Sequence, residues 1–291
     1  MNAAYPTIPI IAEMPRAQLG TVAQASDVTP VRASSWGSLF DCAHKWEGEH
    51  LLGMRKASGL RAQLGTAIHA STAAFDTGRI DGNAVSVDDS AGIFVDTLHH
   101  PERDVDYDQD DLSLTDAERI GLQLHTRYCL DLSPRFVFRS VEAKLRPLDI
   151  DCGSGIVVRL TGTMDRARVA STDHGPVIPD IKTGSRVIEK GEVKTKGRSA
   201  QLGTYQLMFE NDTGEATAGA QVIGLKTSNK PEIGASRVFD AKRVMLGTDE
   251  QPGLIEFAAE MFRTGLFPPN PQSMLCSEKY CARWSVCQFH E

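Results

Sequence analysis

No run in the 291-residue sequence approaches the roughly 18 consecutive apolar residues that a membrane-spanning helix needs, so an integral membrane protein is not expected. The N-terminus lacks a cationic segment followed by a long apolar stretch. Its apolar patch, Ile8–Ala12, is short and carries Pro9, and no secretory signal is legible. Cysteine is sparse, six residues in a long chain, which points to a reducing compartment, the cytoplasm, rather than to a disulfide scaffold. Internal repeats and low-complexity tracts are missing. So is any G-x-x-x-x-G-K-[ST] phosphate loop, so this chain carries no ATP motor of its own. An excess of positive charge is missing too: 31 Lys and Arg stand against 38 Asp and Glu, a net −7. What is present, 41% apolar and 24% charged residues, is the composition of a soluble globular protein with a real core, and it excludes disorder along the whole chain.

The net charge hides an uneven distribution. From Asp76 to Glu118 there are 13 acidic residues and two basic ones, a net −11, which leaves the rest of the chain at +4. Between Lys182 and Arg198 six basic residues face only Glu189 and Glu192. Such a run is either a solvated loop or a local groove that attracts phosphate.

Residues 1–30 hold four prolines and no sustained periodicity, and read as a flexible leader before a single domain over 31–291. Ser34-Ser35 is expected to cap a helix from Trp36 that carries Leu39, Phe40 and Cys42. A second helix is predicted over Ala62–Thr77, stopped by Gly78. The acidic insertion, 76–118, reads as loop-rich between Asp81 and Asp111. Thr115 and Glu118 form a capping-box pattern that opens a helix to about Leu132, with Ile120 and Leu124 inward. Phe136–Ile150 and Gly155–Val169 are rich in β-branched and aromatic residues, and Asp151–Ser154 joins them as a hairpin. Further strands are expected at Pro176–Lys182, Ala220–Thr227 and Arg237–Ala241, with helices at Ser199–Asn211 and Ile255–Thr264. The pattern predicts an α/β core, a central mixed sheet flanked by helices.

Three segments carry polar residues that packing does not explain. Asp165 ends an apolar strand in GTMDR. Asp180 and Lys182, two apart on the next strand, project to one face. His69 lies on the helix containing GTAIH. Taken singly, each has a bland reading: an exposed helical His, a strand-end Asp in a turn, a surface ion pair. Together, carboxylates with one imidazole suit Mg²⁺ or Mn²⁺, and a neighbouring lysine can stabilise charge on a phosphoryl oxygen. Gln201 and Tyr205 follow, one turn apart on one helical face.

The order GxxxH, strand Glu142, GxxD, DxK and QxxxY resembles that of RecB-type nucleases of the PD-(D/E)XK superfamily, over about Ser34–Cys287. The resemblance implies a restriction-endonuclease-like core. It makes His69, Asp165 and Asp180 metal ligands, with the Ile181 carbonyl a further one. Lys182 becomes catalytic, Glu142 an accessory acid, and Gln201 and Tyr205 DNA contacts. The implied activity is metal-dependent DNA cleavage, most simply exonuclease action on single strands or ends. The processes implied are recombination, repair, phage DNA metabolism or CRISPR adaptation, with a separate helicase or recombination or CRISPR-adaptation protein as partner. A non-catalytic DNA-end-binding or scaffold subunit is the alternative, and RNA as substrate stays open.

Cys42 precedes these motifs, and Cys276, Cys281 and Cys287 follow them as C-x4-C-x5-C in a cysteine-rich segment, 268–291. In a reducing compartment such clustering suggests a metal site. One cysteine before the nuclease core and three after it resembles the [4Fe–4S] staple of AddB and of CRISPR-associated exonucleases and their phage relatives. Four thiolates could hold Zn²⁺ instead. Cys129 and Cys152 read as ordinary structural cysteines.

Overall fold

The computed structural model of the chain describes residues 18–19, 27–83, 85–170 and 175–290. Most of the expected leader lies outside the described residues, but strand structure begins before Ser34. β1 (Gln18–Leu19) and β2 (Asp27–Arg32) are both paired into a sheet. A 3-10 turn then leads into α1 (Trp36–Asp41) and α2 (Ala43–His50). The single helix expected here is broken at Cys42, whose backbone is extended (φ −145°, ψ 95°).

β3 (Ser58–Gly59) precedes α3 (Leu60–Asp81), which runs past the expected stop at Gly78 and ends on Gly82 in the left-handed region (φ +70°). Gly78 serves close approach instead: a Cβ there would meet the Val85 side chain at 2.7 Å. The acidic stretch is not loop-rich, because it contains α4 (Val87–His99). The Ser86 hydroxyl accepts from the Asp89 amide, Asp88 and Asp89 face the positive end of the helix dipole, and Ser90, Phe94 and Leu98 form the buried face. The short β4 (Val105–Asp106) pairs with β3. α5 (Leu114–Arg127) is capped by Ser113 rather than by Thr115, then passes into a π-turn over Tyr128–Leu132; Ile120 and Leu124 are buried as expected.

Each of the two long strands expected next is two strands. β5 (Phe138–Lys144), β6 (Leu148–Asp151), β7 (Ile156–Thr161) and β8 (Thr163–Arg168) belong to two sheets. β6 and β7 form the expected hairpin inside a four-stranded sheet ordered β1-β6-β7-β2. β5 and β8 instead pair in a five-stranded sheet, which is completed by β9 (Val177–Thr183) and two later strands. A small hairpin, β10 (Ile188–Glu189) and β11 (Glu192–Val193), precedes α6 (Ser199–Thr213). α6 crosses over to β12 (Gly219–Lys226), parallel to β9, and β13 (Glu232–Ala235) closes the order β13-β12-β9-β8-β5. The strand expected at Arg237–Ala241 reduces to one bridge, Phe239 to Ala220. α7 (Lys242–Leu246), α8 (Leu254–Thr264) and an irregular tail complete the chain.

The five-stranded sheet is covered on both faces, as a β-α-β crossover requires. Ile178, Ala220 and Val222 pack with α6, α8, Trp36 and Trp46 on one side. Ile181, Ile223 and Leu225 pack with α3, α4 and α5 on the other. No helix among the described residues is long and apolar enough to cross a membrane.

The acidic segment thus contributes core. Phe94 is fully buried, and a Cβ on Gly121 of α5 would lie 2.0 Å from its ring. Phe94→Ala should cost about 3–5 kcal/mol in denaturant unfolding. A loss well under 1 kcal/mol would show that α4 does not pack as described.

Candidate active site

β8 and β9 are adjacent, yet they pair only at Arg168–Val177. Extending that register sets Pro179 opposite Arg166. Backbone amides two apart face the same strand edge, and the Ile181 amide faces β8. The nitrogen of Pro179 therefore faces β8 too, and it has no hydrogen to donate. Beyond it the ladder stops. The Ile181 amide donates to the Asp165 carboxylate (2.8 Å), so a side chain stands where a carbonyl would.

Around this gap three ligand atoms, from His69, Glu142 and Asp165, lie within 4.8 Å of one another. It is the one such group of three or more His, Cys, Asp or Glu among the described residues. His69 Nδ1 is 3.5 Å from Asp165 Oδ2. Glu142 holds φ +46°, a left-handed conformation uncommon for a non-glycine residue; such strain persists where the surroundings impose it. Burial, and then the Asp165 charge, push the Glu142 carboxyl above the ordinary range, but its side chain keeps 43% exposure, so the effect of burial is modest.

Asp180 lies outside that trio and deeper, 1% exposed. Gln201 Nε2 donates to its Oδ1 (3.3 Å) and to the Tyr205 hydroxyl (3.3 Å). Lys182 Nζ lies 2.8 Å from Oδ2, a charge-assisted contact within hydrogen-bond reach. Burial raises the Asp180 carboxyl strongly, against the pull of Lys182. Carboxylate oxygens from Glu142 and Asp165 with one imidazole, next to the buried Asp180 carboxylate, are a donor set that suits a hard divalent cation.

Two motif glycines explain how these residues meet. A Cβ on Gly65, one turn before His69, would lie 2.8 Å from Thr183 Oγ1, so the glycine lets α3 close on the strand bearing Lys182. A Cβ on Gly162 would lie 2.8 Å from Cε1 of Tyr205.

Sequence reasoning missed the support beneath the site. Arg166 and Asp76, both fully buried, pair at 2.8 Å. Asp76 also accepts from Tyr128 (2.5 Å) and Ser133 (2.6 Å). Arg166 donates to the Asp165 carbonyl (2.7 Å) and to Glu142 (3.3 Å). Asp76 follows His69 by seven residues, two turns along the same helical face, which is the signal that could have found it.

The cysteines form a second cluster. Cys42, Cys276, Cys281 and Cys287 form no disulfide and line one small pocket. Asn270 donates its amide to Cys42 Sγ (3.4 Å), and Arg283 bonds the His44 carbonyl (2.7 Å), tying the tail to α2. Cys129 and Cys152 are buried elsewhere, and burial pushes both thiols up to about 12.

A model of the PD-(D/E)XK nuclease superfamily matches residues 33–288. Among curated proteins none matches. Among solved structures, the crystal structure of a "Putative exonuclease" from Eubacterium rectale is similar at 12% identity, with 84% of each chain covered and a TM-score of 0.49.

Removing Asp76 would leave Arg166 buried without its partner. Asp76→Ala should therefore cost about 3–5 kcal/mol in denaturant unfolding, more than Arg166 and Asp76 replaced together by apolar residues. A single variant no less stable than the double would refute this account of the support.

Proposed function

The chain belongs to the PD-(D/E)XK nuclease superfamily, and on that premise we propose that it is a divalent-metal-dependent deoxyribonuclease acting on single-stranded DNA or DNA ends. One observation carries this reading. Four separate elements deliver His69 from α3, Glu142 from β5, Asp165 from β8, and Asp180 with Lys182 from β9 to one place. A scaffold subunit without catalysis has no use for a buried Asp180 whose charge is so costly to hide.

In this reading His69, Asp165, Asp180 and the Ile181 carbonyl hold Mg²⁺ or Mn²⁺, with Glu142 assisting. When bound, the ion neutralises charge on the phosphodiester and makes a water more acidic. Lys182, 17% exposed, offers a second positive charge to a phosphoryl oxygen. The Ile181–Asp165 hydrogen bond keeps that carboxylate from swinging away. Gln201 holds one Asp180 oxygen and Tyr205 anchors Gln201, which places the pair beside the strand being cut. With no motor motif in the chain, single strands and frayed ends are the substrates within reach, and a separate helicase is needed for long duplexes. Recombination, repair, phage DNA metabolism and CRISPR adaptation all supply such ends.

Cys42, Cys276, Cys281 and Cys287 hold a [4Fe–4S] cluster in the same reading, as in the AddB-like staple, and join both ends of one domain over 31–291. Their lining of one shared pocket supports this.

Asp180→Asn or Lys182→Ala should abolish cleavage of end-labelled DNA with Mn²⁺ while leaving the fold intact. Glu142 and Asp180 hold protons above the ordinary carboxylate range, so ion binding should be complete above those raised values and be lost as pH falls through them. Calorimetric titration with Mn²⁺ across pH checks the sign; Asp180→Asn cutting at the wild-type rate refutes the site.

Anaerobically purified protein should be brown, with about four irons per chain. Cys42→Ser should lose colour and thermal stability, and Cys129→Ser should lose neither. Zinc without iron in metal analysis would overturn the cluster.

A further inference from the structure

After the strand that bears Asp180 and Lys182, the chain makes an open cleft. Gly184 and Arg186 line one side, and Lys194, Lys196 and Arg198 the other. Four cations thus face one hollow beginning at Thr183, the residue next to Lys182. Lys194 is partly neutralised by Glu189, at 2.5 Å. Arg186, Lys196 and Arg198 have no carboxylate partner among the described residues. Like charges drawn together without counter-charge repel, so such a grouping costs stability unless an anion comes to it.

The segment is not a loose solvated loop. Ile188 and Val193, on the two strands of the β10–β11 hairpin, press onto Gly224 of β12 and Gly234 of β13. A Cβ on Gly224 would lie 3.1 Å from the Val193 side chain and 3.2 Å from that of Ile188; one on Gly234 would lie 3.1 Å from Val193. The Gly184 amide donates to the Leu225 carbonyl (3.3 Å), and its carbonyl accepts from the Thr227 amide (3.3 Å). Lys194 donates its amide to the Val187 carbonyl (2.9 Å), which fastens one wall of the cleft to the other. Arg198, which lines the cleft, is also the residue from which α6 starts, so the positive end of that helix lies beside it.

We propose that this cleft is a phosphate-binding subsite, in which Arg186, Lys196 and Arg198 hold backbone phosphates of the bound nucleic-acid strand adjoining the phosphodiester at Lys182. The proposal rests on the nuclease reading above and deepens it by naming what grips the substrate beyond the cut. Two guanidinium groups supply paired N–H donors for phosphate oxygens, and the ammonium supplies a compact charge. None of the three reaches the reacting bond, so they set affinity and strand placement rather than the chemical step.

The test uses the full chain carrying Arg186→Gln, Lys196→Gln and Arg198→Gln together. Binding of a fluorescent single-stranded oligodeoxynucleotide is measured from low to moderate salt, in an Asp180→Asn background so that nothing is cut. Loss of three phosphate contacts should weaken binding on the order of tenfold or more at low salt and reduce the slope of log affinity against log salt by about 2. In the cutting-competent chain, hydrolysis of bis(p-nitrophenyl) phosphate with Mn²⁺ should be unchanged by the three substitutions. That diester has no neighbouring phosphates, so it reports the fold and the reacting centre alone. Oligonucleotide affinity and salt slope equal to those of the parent would overturn the subsite. Loss of hydrolysis of the small diester together with affinity would overturn it too, since the cations would then serve the fold or the chemistry. A parent chain that binds the oligonucleotide through this cleft but hydrolyses neither DNA nor the small diester would sink the nuclease reading and leave the subsite standing.

Discussion

The site depends on one hydrogen bond, from the Ile181 amide to the Asp165 carboxylate. A sheet does not leave strand edges unpaired in its interior without a substitute. Here Pro179 removes the donor that would continue the β8–β9 ladder, and Asp165 satisfies the next one. The exchange opens a slot between two central strands and fixes a carboxylate at its mouth. Asp180 and Lys182 follow on the same strand, so their position is inherited from that bond. Arg166, the next residue after Asp165, enters the interior instead, meets Asp76, and braces the carbonyl of Asp165 from behind.

Close approach does the rest. His69 reaches Asp165 because Gly65 leaves room for Thr183, and Gly162 leaves room for the Tyr205 ring. Motif glycines are often taken for turn residues, but Gly65 is in the middle of a helix, where glycine costs about 1 kcal/mol against alanine. The cost is offset by a contact between a helix and a strand more than a hundred residues apart. Glu142, with its left-handed backbone, is the complementary case, a residue held in strain so that its carboxylate turns toward the other two.

Charge follows the same division of labour. The acidic segment forms the outer surface of a helical layer whose inner face is Phe94, Leu98, Ile120 and Leu124. The cations cluster on the opposite side of the reacting centre's own strand, at the start of α6. A net charge of −7 describes neither region, and the local field over a phosphate is set by the few groups within a Debye length of it.

Much of this was legible locally. The hairpin at Asp151–Ser154, the helix from Ser199 and the pairing of Asp180 with Lys182 on one face follow from turn chemistry and the two side-chain periods, which act over a few residues. α4 was not legible, because its buried positions are few and five acidic or polar residues surround them. The division of each long β-run between two sheets was not legible either, since a strand carries no mark of which sheet it will join. Asp76 and Arg166 are 90 residues apart and appear in sequence as two ordinary charges; only the crossing of α3 over β8 buries them together. The same holds for the cysteines and for the cations of the cleft. Residue type and spacing determined which chemistry was available to the chain. Which groups share a few ångströms of low-dielectric space was decided by how the strands part and the helices close, because that depends on contacts that no local pattern encodes.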